Sequence, residues 1–222
     1  MKMIWLICLV SCISKVIAQQ WTWDAFVLSI YWAPGFCYSE GHNCRMLQVV
    51  EHFTVHGLWP VRFSGAQVPP DQNAEAYHQF GVGYHPELLG PLTNQWRNYL
   101  RRNSDQGFWQ IEWEHHGMFS YALFDQVDYF TRGLQLLNRN NILHALQVNG
   151  ITPGTTATSR DIVQAIRSAI HVDVRLNCRT HNGITFLTEV RICFNRDATT
   201  EIHCNRAVGG TCPRHNVYFA PF

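Results

Sequence analysis

The sequence predicts an α+β fold with a largely antiparallel sheet. Two observations carry this. Strand-like apolar runs lie at both ends of the chain, and helical periodicity fills its middle. Phe26 to Trp32 is dense in β-branched and aromatic residues and reads as a buried strand stopped at Ala33-Pro34-Gly35. Glu51 to His56 reads as a second strand, ended by Gly57 and Pro60, and 61–74 as a Pro/Gly/Asn loop. Leu92 to Arg101, Phe108 to His116 and Phe119 to Leu137 carry helical spacing, and Asn141 to Val148 a further short helix. Thr158 or Ser159 can cap a helix running to Ile170, with Asp161 placed favourably in its first turn. Val172 to Leu176, Thr185 to Phe194 and Glu201 to His203 read as strands.

The 222 residues are 46% hydrophobic and 15% charged, enough apolar content for a core and too much for disorder. No linker or repeat divides them, so residues 19–222 are expected to form one domain. Residues 1–18 have the pattern of a signal peptide: Lys2, the apolar run Ile4 to Ile13, and a small residue at Ala18. That run is too short to span a bilayer. The expected product is secreted and extracellular, with vacuolar sorting left open, and has no membrane attachment after cleavage.

The chain's only lysines, Lys2 and Lys15, fall in that leader. Taking two from the 17 basic residues leaves 15 arginines against 16 acidic residues. A near-neutral surface excludes a broad cationic field for nucleic acid, so any RNA contact must be local. Beyond the leader the cysteines are Cys37, Cys44, Cys178, Cys193, Cys204 and Cys212. An even number in an oxidising compartment reads as disulfides. Cys37 and Cys44 close a short loop, and Cys193–Cys204 can nest inside Cys178–Cys212. No CxxC pair is present to suggest a structural zinc site.

Two segments carry chemistry. In Phe53-Thr54-Val55-His56-Gly57-Leu58-Trp59-Pro60, a histidine at a strand end is followed by Gly, which leaves room, and by Trp59, a flat face for a base or sugar. Taken alone, His56 reads more readily as a core histidine. In Phe108-Trp109-Gln110-Ile111-Glu112-Trp113-Glu114-His115-His116-Gly117, helical spacing brings Glu112, His115 and His116 within about one turn. The metal pattern HExxH is absent. Together the segments offer two imidazoles and a carboxylate. RNA can be cut when one group takes the 2′-OH proton and another protonates the leaving 5′-oxygen, and histidine can do both near neutral pH. A secreted zinc hydrolase using His115, His116 and Glu112 is the weaker alternative. His52 lies four residues before His56, on the same face if both are in one strand, and is the best candidate for a supporting role.

With these two segments in this order, the chain resembles the T2 ribonuclease family. FTVHGLWP at 53–60 and FWQIEWEHHG at 108–117 look like the family's two active-site segments. Leu28 to Cys37 resembles its opening strand and first disulfide. Asn149 to Gly154, the late cysteines and EVRICFN at 189–195 are most similar to the plant self-incompatibility branch. The resemblance implies RNA cleavage through a 2′,3′-cyclic phosphate without metal or other cofactor. It implies His116 as base, His56 as acid, and Glu112 as the group steadying the transition state. Trp59 and Phe108 match base-stacking positions. The implied partner is single-stranded RNA, with a pollen F-box-type protein added if the chain belongs to the self-incompatibility branch; a monomer is expected.

The chain departs from the family pattern in several places. His115 stands where a Lys is usual, and a histidine supplies that cation only at lower pH. Ile111 replaces a phosphate-binding His, Tyr31 a Gln, and Val61 an acidic residue. Met118-Phe119 replaces Thr-Cys or Ser-Cys, and the partner cysteine expected between Val61 and Asn73 is missing too. Phe119 is expected to fill that space. There is no Asn-x-Ser/Thr sequon. These changes bear on rate and base preference, and they motivate the alternative of a weakened protein of the same fold serving storage, defence or RNA binding.

Overall fold

The computed structural model describes residues 21–69, 81 and 85–222. The leader expected at 1–18 lies outside them. The sheet is built on β5 (Ile184–Phe194), which is buried along most of its length. One side of β5 takes β1 (Ala25–Tyr31) antiparallel and then β7 (Val217–Phe219) parallel. The other side takes β4 (Arg175–His181) and β6 (Glu201–Ile202), both antiparallel. β2 (Thr54–Val61) pairs with β1 at one edge, and β3 (Thr155–Ala157) pairs with β7 at the other.

Apart from irregularities in β2 and β4, the strands follow the two-residue alternation of a pleated sheet. On one face Phe26, Leu28, Ile30, Val55, Leu58, Val190, Ile192 and Phe194 join the main core. Against the core side of β1 and β2 packs α4 (Gln126–Arg139), with α2 (Pro86–Gln95) beside it. The opposite face carries two small apolar clusters. Val27, Cys193 and Cys204 form one, and Tyr31, Phe36, Cys37, Cys44 and Tyr99 form the other. Polar residues occupy the interval between them, where the candidate site lies. The disulfides are Cys37–Cys44, Cys178–Cys212 and Cys193–Cys204, the pairing expected from cysteine clustering.

Several element boundaries differ from expectation, each for a local reason. Ala33-Pro34-Gly35 stops β1 but also starts α1 (Ala33–Glu40), because proline fits a helix's first turn. Gly35 permits close packing there: a Cβ would lie 1.9 Å from the Leu187 carbonyl oxygen. The second strand runs Thr54–Val61, not Glu51–His56. It passes through Gly57 and Pro60 because β2 is an edge strand, where a missing N–H is tolerated.

The helix expected at Leu92 to Arg101 ends at Gln95. Trp96 and Tyr99 are buried from a loop, and Tyr99 shares a 3.1 Å hydrogen bond between its hydroxyl and that of Thr54. The long helix expected from Phe119 is split. A 3-10 turn spans Gly117–Ser120, and Asp125, accepting from the Asp128 N–H, caps α4 afresh. α5 (Ile142–Val148) and α6 (Ser159–Ile170, capped by Thr158) follow the sequence reading. β4 begins at Arg175 rather than Val172 and joins β5 through Asn182-Gly183. Both turn residues have positive φ (50° and 78°), the backbone a tight hairpin demands.

Candidate active site

His56 is aimed by an irregularity in the ladder. In the β1–β2 pairing Ser29 faces Gly57 while Ile30 faces Val55, so His56 is the extra residue of a β-bulge. A bulge bends its strand and re-aims a side chain, and it frees backbone groups from the ladder. The His56 carbonyl accepts a 2.8 Å hydrogen bond from Trp96 Nε1. Leu58 returns to the core face, and His56 emerges on the other face between the two small clusters.

The imidazole is held on several sides. The Tyr31 ring stacks on it, with centroids 4.2 Å apart and planes 16° apart, and the Phe108 ring lies 5.9 Å away at 23°. His56 Nδ1 is 2.9 Å from Glu189 Oε1, and Nε2 is 3.7 Å from Glu112 Oε1. One imidazole therefore lies between two buried carboxylates.

α3 (Asp105–His115) delivers the second group of residues. Ser104 caps it by accepting from the Gly107 N–H. Trp109 and Trp113 bury one side of the helix, and Glu112 shares that side at 4% exposure. The helix stops at His116, whose N–H still reaches the Glu112 carbonyl at 3.1 Å. Gly117 follows because a Cβ there would lie 2.4 Å from the Trp113 ring. His115 points outward and is exposed, and His116 is partly buried.

Trp59 ties the two segments together. Its Nε1 donates to Glu112 Oε2 at 2.9 Å. Its ring meets His56 edge-on and His116 at a tilt, each at a centroid distance of 5.1 Å. The Arg191 guanidinium lies 5.2 Å from the ring centroid. Trp59, His115, His116, Val61, Val68 and Phe119 are among the residues lining a cleft of about 270 Å³. Phe119 also packs on the main core.

The electrostatics divide the two histidines. Burial, followed by the nearby His56 and His115, lowers His116 to about 3, so its ring is neutral over most of the pH range. Burial raises Glu112 above the usual carboxyl range, against the pull of His56 and the Trp59 hydrogen bond. Burial would raise Glu189 also. There the His56 hydrogen bond and charge, with Arg191 and Ser29, win and hold it at about 2. Glu189 is thus a fixed negative charge on His56 Nδ1.

Of the residues singled out in the sequence, His56, Trp59, Phe108, Glu112 and His116 come together, with His115 on the cleft rim. His52 does not join them. The strand begins only at Thr54, so the shared-face argument fails, and His52 lines a separate cleft with Phe53, Gln95 and Asn138. Sequence reasoning missed Glu189, Ser29, Asn177 and Arg191. The available signal was polar residues in buried strands: Glu189 and Arg191 stand two apart in β5, and Ser29 is the one hydroxyl in the apolar run of β1 before Tyr31.

Fold and site together define an α+β scaffold that brings two histidines and a glutamate, His56, His116 and Glu112, around Trp59. Residues 23–204 match the sequence model of the Ribonuclease T2 family, and the chain belongs to that family. It is 30% identical over 190 residues to Ribonuclease MC of Momordica charantia, covering 84% of this chain and 97% of that one. It is also 30% identical over 186 residues to Ribonuclease S-2 of Antirrhinum hispanicum, covering 82% and 76%. The solved structure of ribonuclease MC1 from bitter gourd seeds superposes with a TM-score of 0.76 at 28% identity, covering 88% of this chain and all of that one. The chain is a T2-type endoribonuclease.

Proposed function

We propose that the mature chain is a secreted ribonuclease that cuts single-stranded RNA without metal, using His116 as general base and His56 as general acid. The observation that carries the assignment is the unequal setting of the two rings. His116 is desolvated and neutral, fit to accept a proton, whereas His56 is hydrogen-bonded through Nδ1 to Glu189 at 2.9 Å and has Nε2 3.7 Å from Glu112.

His116 takes the proton of the ribose 2′-OH. The 2′-oxygen bonds to phosphorus, and the bond from phosphorus to the 5′-oxygen breaks. The leaving oxygen takes a proton from His56 Nε2, and a 2′,3′-cyclic phosphate remains. The histidines have then exchanged protonation states, as the reverse-order attack by water requires. Glu112, 3.7 Å from His56 Nε2 and held by Trp59, is placed to steady the transition state and the imidazole beside it. His115 lies exposed on the rim of the cleft, beside His116. Phe108 and Trp59 border the space where bases stack, although Trp59 is already engaged by Glu112, His56, His116 and Arg191.

The finer reading as a self-incompatibility ribonuclease with a pollen F-box-type partner rests on the 149–154 and 189–195 segments. Identity does not separate the branches, since Ribonuclease MC and Ribonuclease S-2 both match at 30%. The test of function is cleavage of single-stranded RNA in excess EDTA, from mildly acidic to neutral pH, with His116→Ala as control. Cleavage to cyclic phosphates, lost in the control, is expected. Activity abolished by EDTA and restored by zinc would favour the metal alternative and contradict the proposal.

A further inference from the structure

Glu189 is a buried carboxylate that no part of the two-histidine scheme uses, and it receives more hydrogen bonds than any other group at the site. His56 Nδ1 meets its Oε1 at 2.9 Å. On Oε2 it accepts from Ser29 Oγ at 3.0 Å and Asn177 Nδ2 at 2.9 Å, with an Arg191 nitrogen at 3.4 Å. These partners come from β1, β4 and β5, and His56 from β2, so four strands of the sheet fix one carboxylate. Their alignment follows from register: Glu189 pairs with Tyr31 on one side and Asn177 on the other, and Ser29 pairs with Arg191.

We propose that Glu189 is a positioning residue for His56, holding the Nδ1–H tautomer so that Nε2, on the Glu112 side of the ring, is the nitrogen that delivers the proton to the leaving oxygen. An ionised carboxylate can only accept, so the proton on that bond belongs to Nδ1. The other ring nitrogen is then the one available for proton transfer, and the bond to Glu189 fixes the orientation of the ring. The remaining charged and titratable groups facing this pair are Glu112 from α3, Arg191 from β5, Tyr31 from β1 and His116 at the end of α3. Among the described residues Glu189 is the group that bonds Nδ1, at 2.9 Å.

The inference rests on the two-histidine reading, so its test has one arm that needs no activity. Nitrogen-15 NMR of the full mature chain, with His56 assigned by comparison with His56→Ala, should show a protonated Nδ1 in slow exchange that is lost or strongly shifted in Glu189→Gln. The kinetic arm uses a dinucleoside monophosphate. Glu189→Gln should lower kcat roughly 10²-fold with little change in KM, and move the alkaline limb of the kcat profile to lower pH. Ser29→Ala, which loosens the carboxylate but keeps it, should move both in the same direction by less. An unprotonated Nδ1 in the folded wild type, or an unchanged pH profile in a folded Glu189→Gln, overturns the proposal. If Glu189→Gln does not fold, Ser29→Ala decides by the same profile. A wild type that shows the Nδ1 signal yet cleaves no RNA contradicts the proposed function and not the dyad.

Discussion

Trp59 Nε1 donates to Glu112 Oε2 at 2.9 Å, through the space that the absent side chain of Gly57 leaves open. A Cβ on residue 57 would lie 2.1 Å from both atoms of that bond. One glycine thus couples the bulged strand to α3. Gly57→Ala should separate Trp59 from Glu112, cost about 1–3 kcal/mol through overpacking, and lower kcat at least about 10-fold. Chemical denaturation and steady-state kinetics on the same sample check it; a fully active Gly57→Ala would show that the contact is dispensable.

Acid and base can be told apart by the leaving group. A substrate whose leaving group departs without a proton, such as a nitrophenyl ester of a nucleoside 3′-phosphate, bypasses the acid but still needs the base. On ordinary RNA, His56→Ala and His116→Ala should each lose roughly 10²–10⁴-fold in rate. On the activated ester His56→Ala should recover most of its activity and His116→Ala should not. The opposite pattern would exchange the two roles.

The acid limb of kcat/KM reports the base in the free enzyme. With His116 lowered from the ordinary 6.5 to about 3, that limb should lie well below pH 6. Cleavage should therefore persist in mildly acidic medium. A limb centred near 6.5 would mean that His116 is more exposed to water than its packing against Trp59 indicates.

The same groups predict acid sensitivity of the fold. His116 is held neutral in the folded chain, so below 6.5 the unfolded chain binds the proton first. Its contribution is lost as pH falls from 6.5 toward about 3. Glu189, lowered from 4.5 to about 2, stabilises the fold above pH 4.5 and is lost as pH falls toward 2. Glu112, raised, acts with the opposite sign and offsets part of both. Tm should fall continuously from about pH 6.5 to pH 2, and Glu189→Gln should flatten the part below pH 4.5. A Tm independent of pH over that window would contradict these environments.

The two segments that build the centre were legible because each packs its chemistry into a short run. Helical spacing puts Glu112 and His116 within one turn, and His56 stood out once its segment was read together with that helix and the family resemblance. The disulfide pairing was legible for a similar reason, since the cysteines cluster. What was not legible depended on contacts between distant strands. The bulge that turns His56 out arises from unequal pairing of β1 and β2, which hydrophobic alternation in either strand alone does not reveal. Glu189 is 133 residues from His56 in the chain. His52 was misplaced because its role assumed a strand beginning three residues early. Trp96 and Tyr99 imitate helical spacing, but they turn inward from a loop to bond the His56 carbonyl and Thr54.

Transesterification by two histidines forms a cyclic phosphate before any monophosphate. Phosphorus-31 NMR of a dinucleoside monophosphate incubated with the folded mature chain in excess EDTA tests it most directly. The 2′,3′-cyclic phosphate resonance should build up before any 3′-monophosphate and be absent with His116→Ala. Direct appearance of a monophosphate with no cyclic species, or an equal rate in His116→Ala, would contradict it.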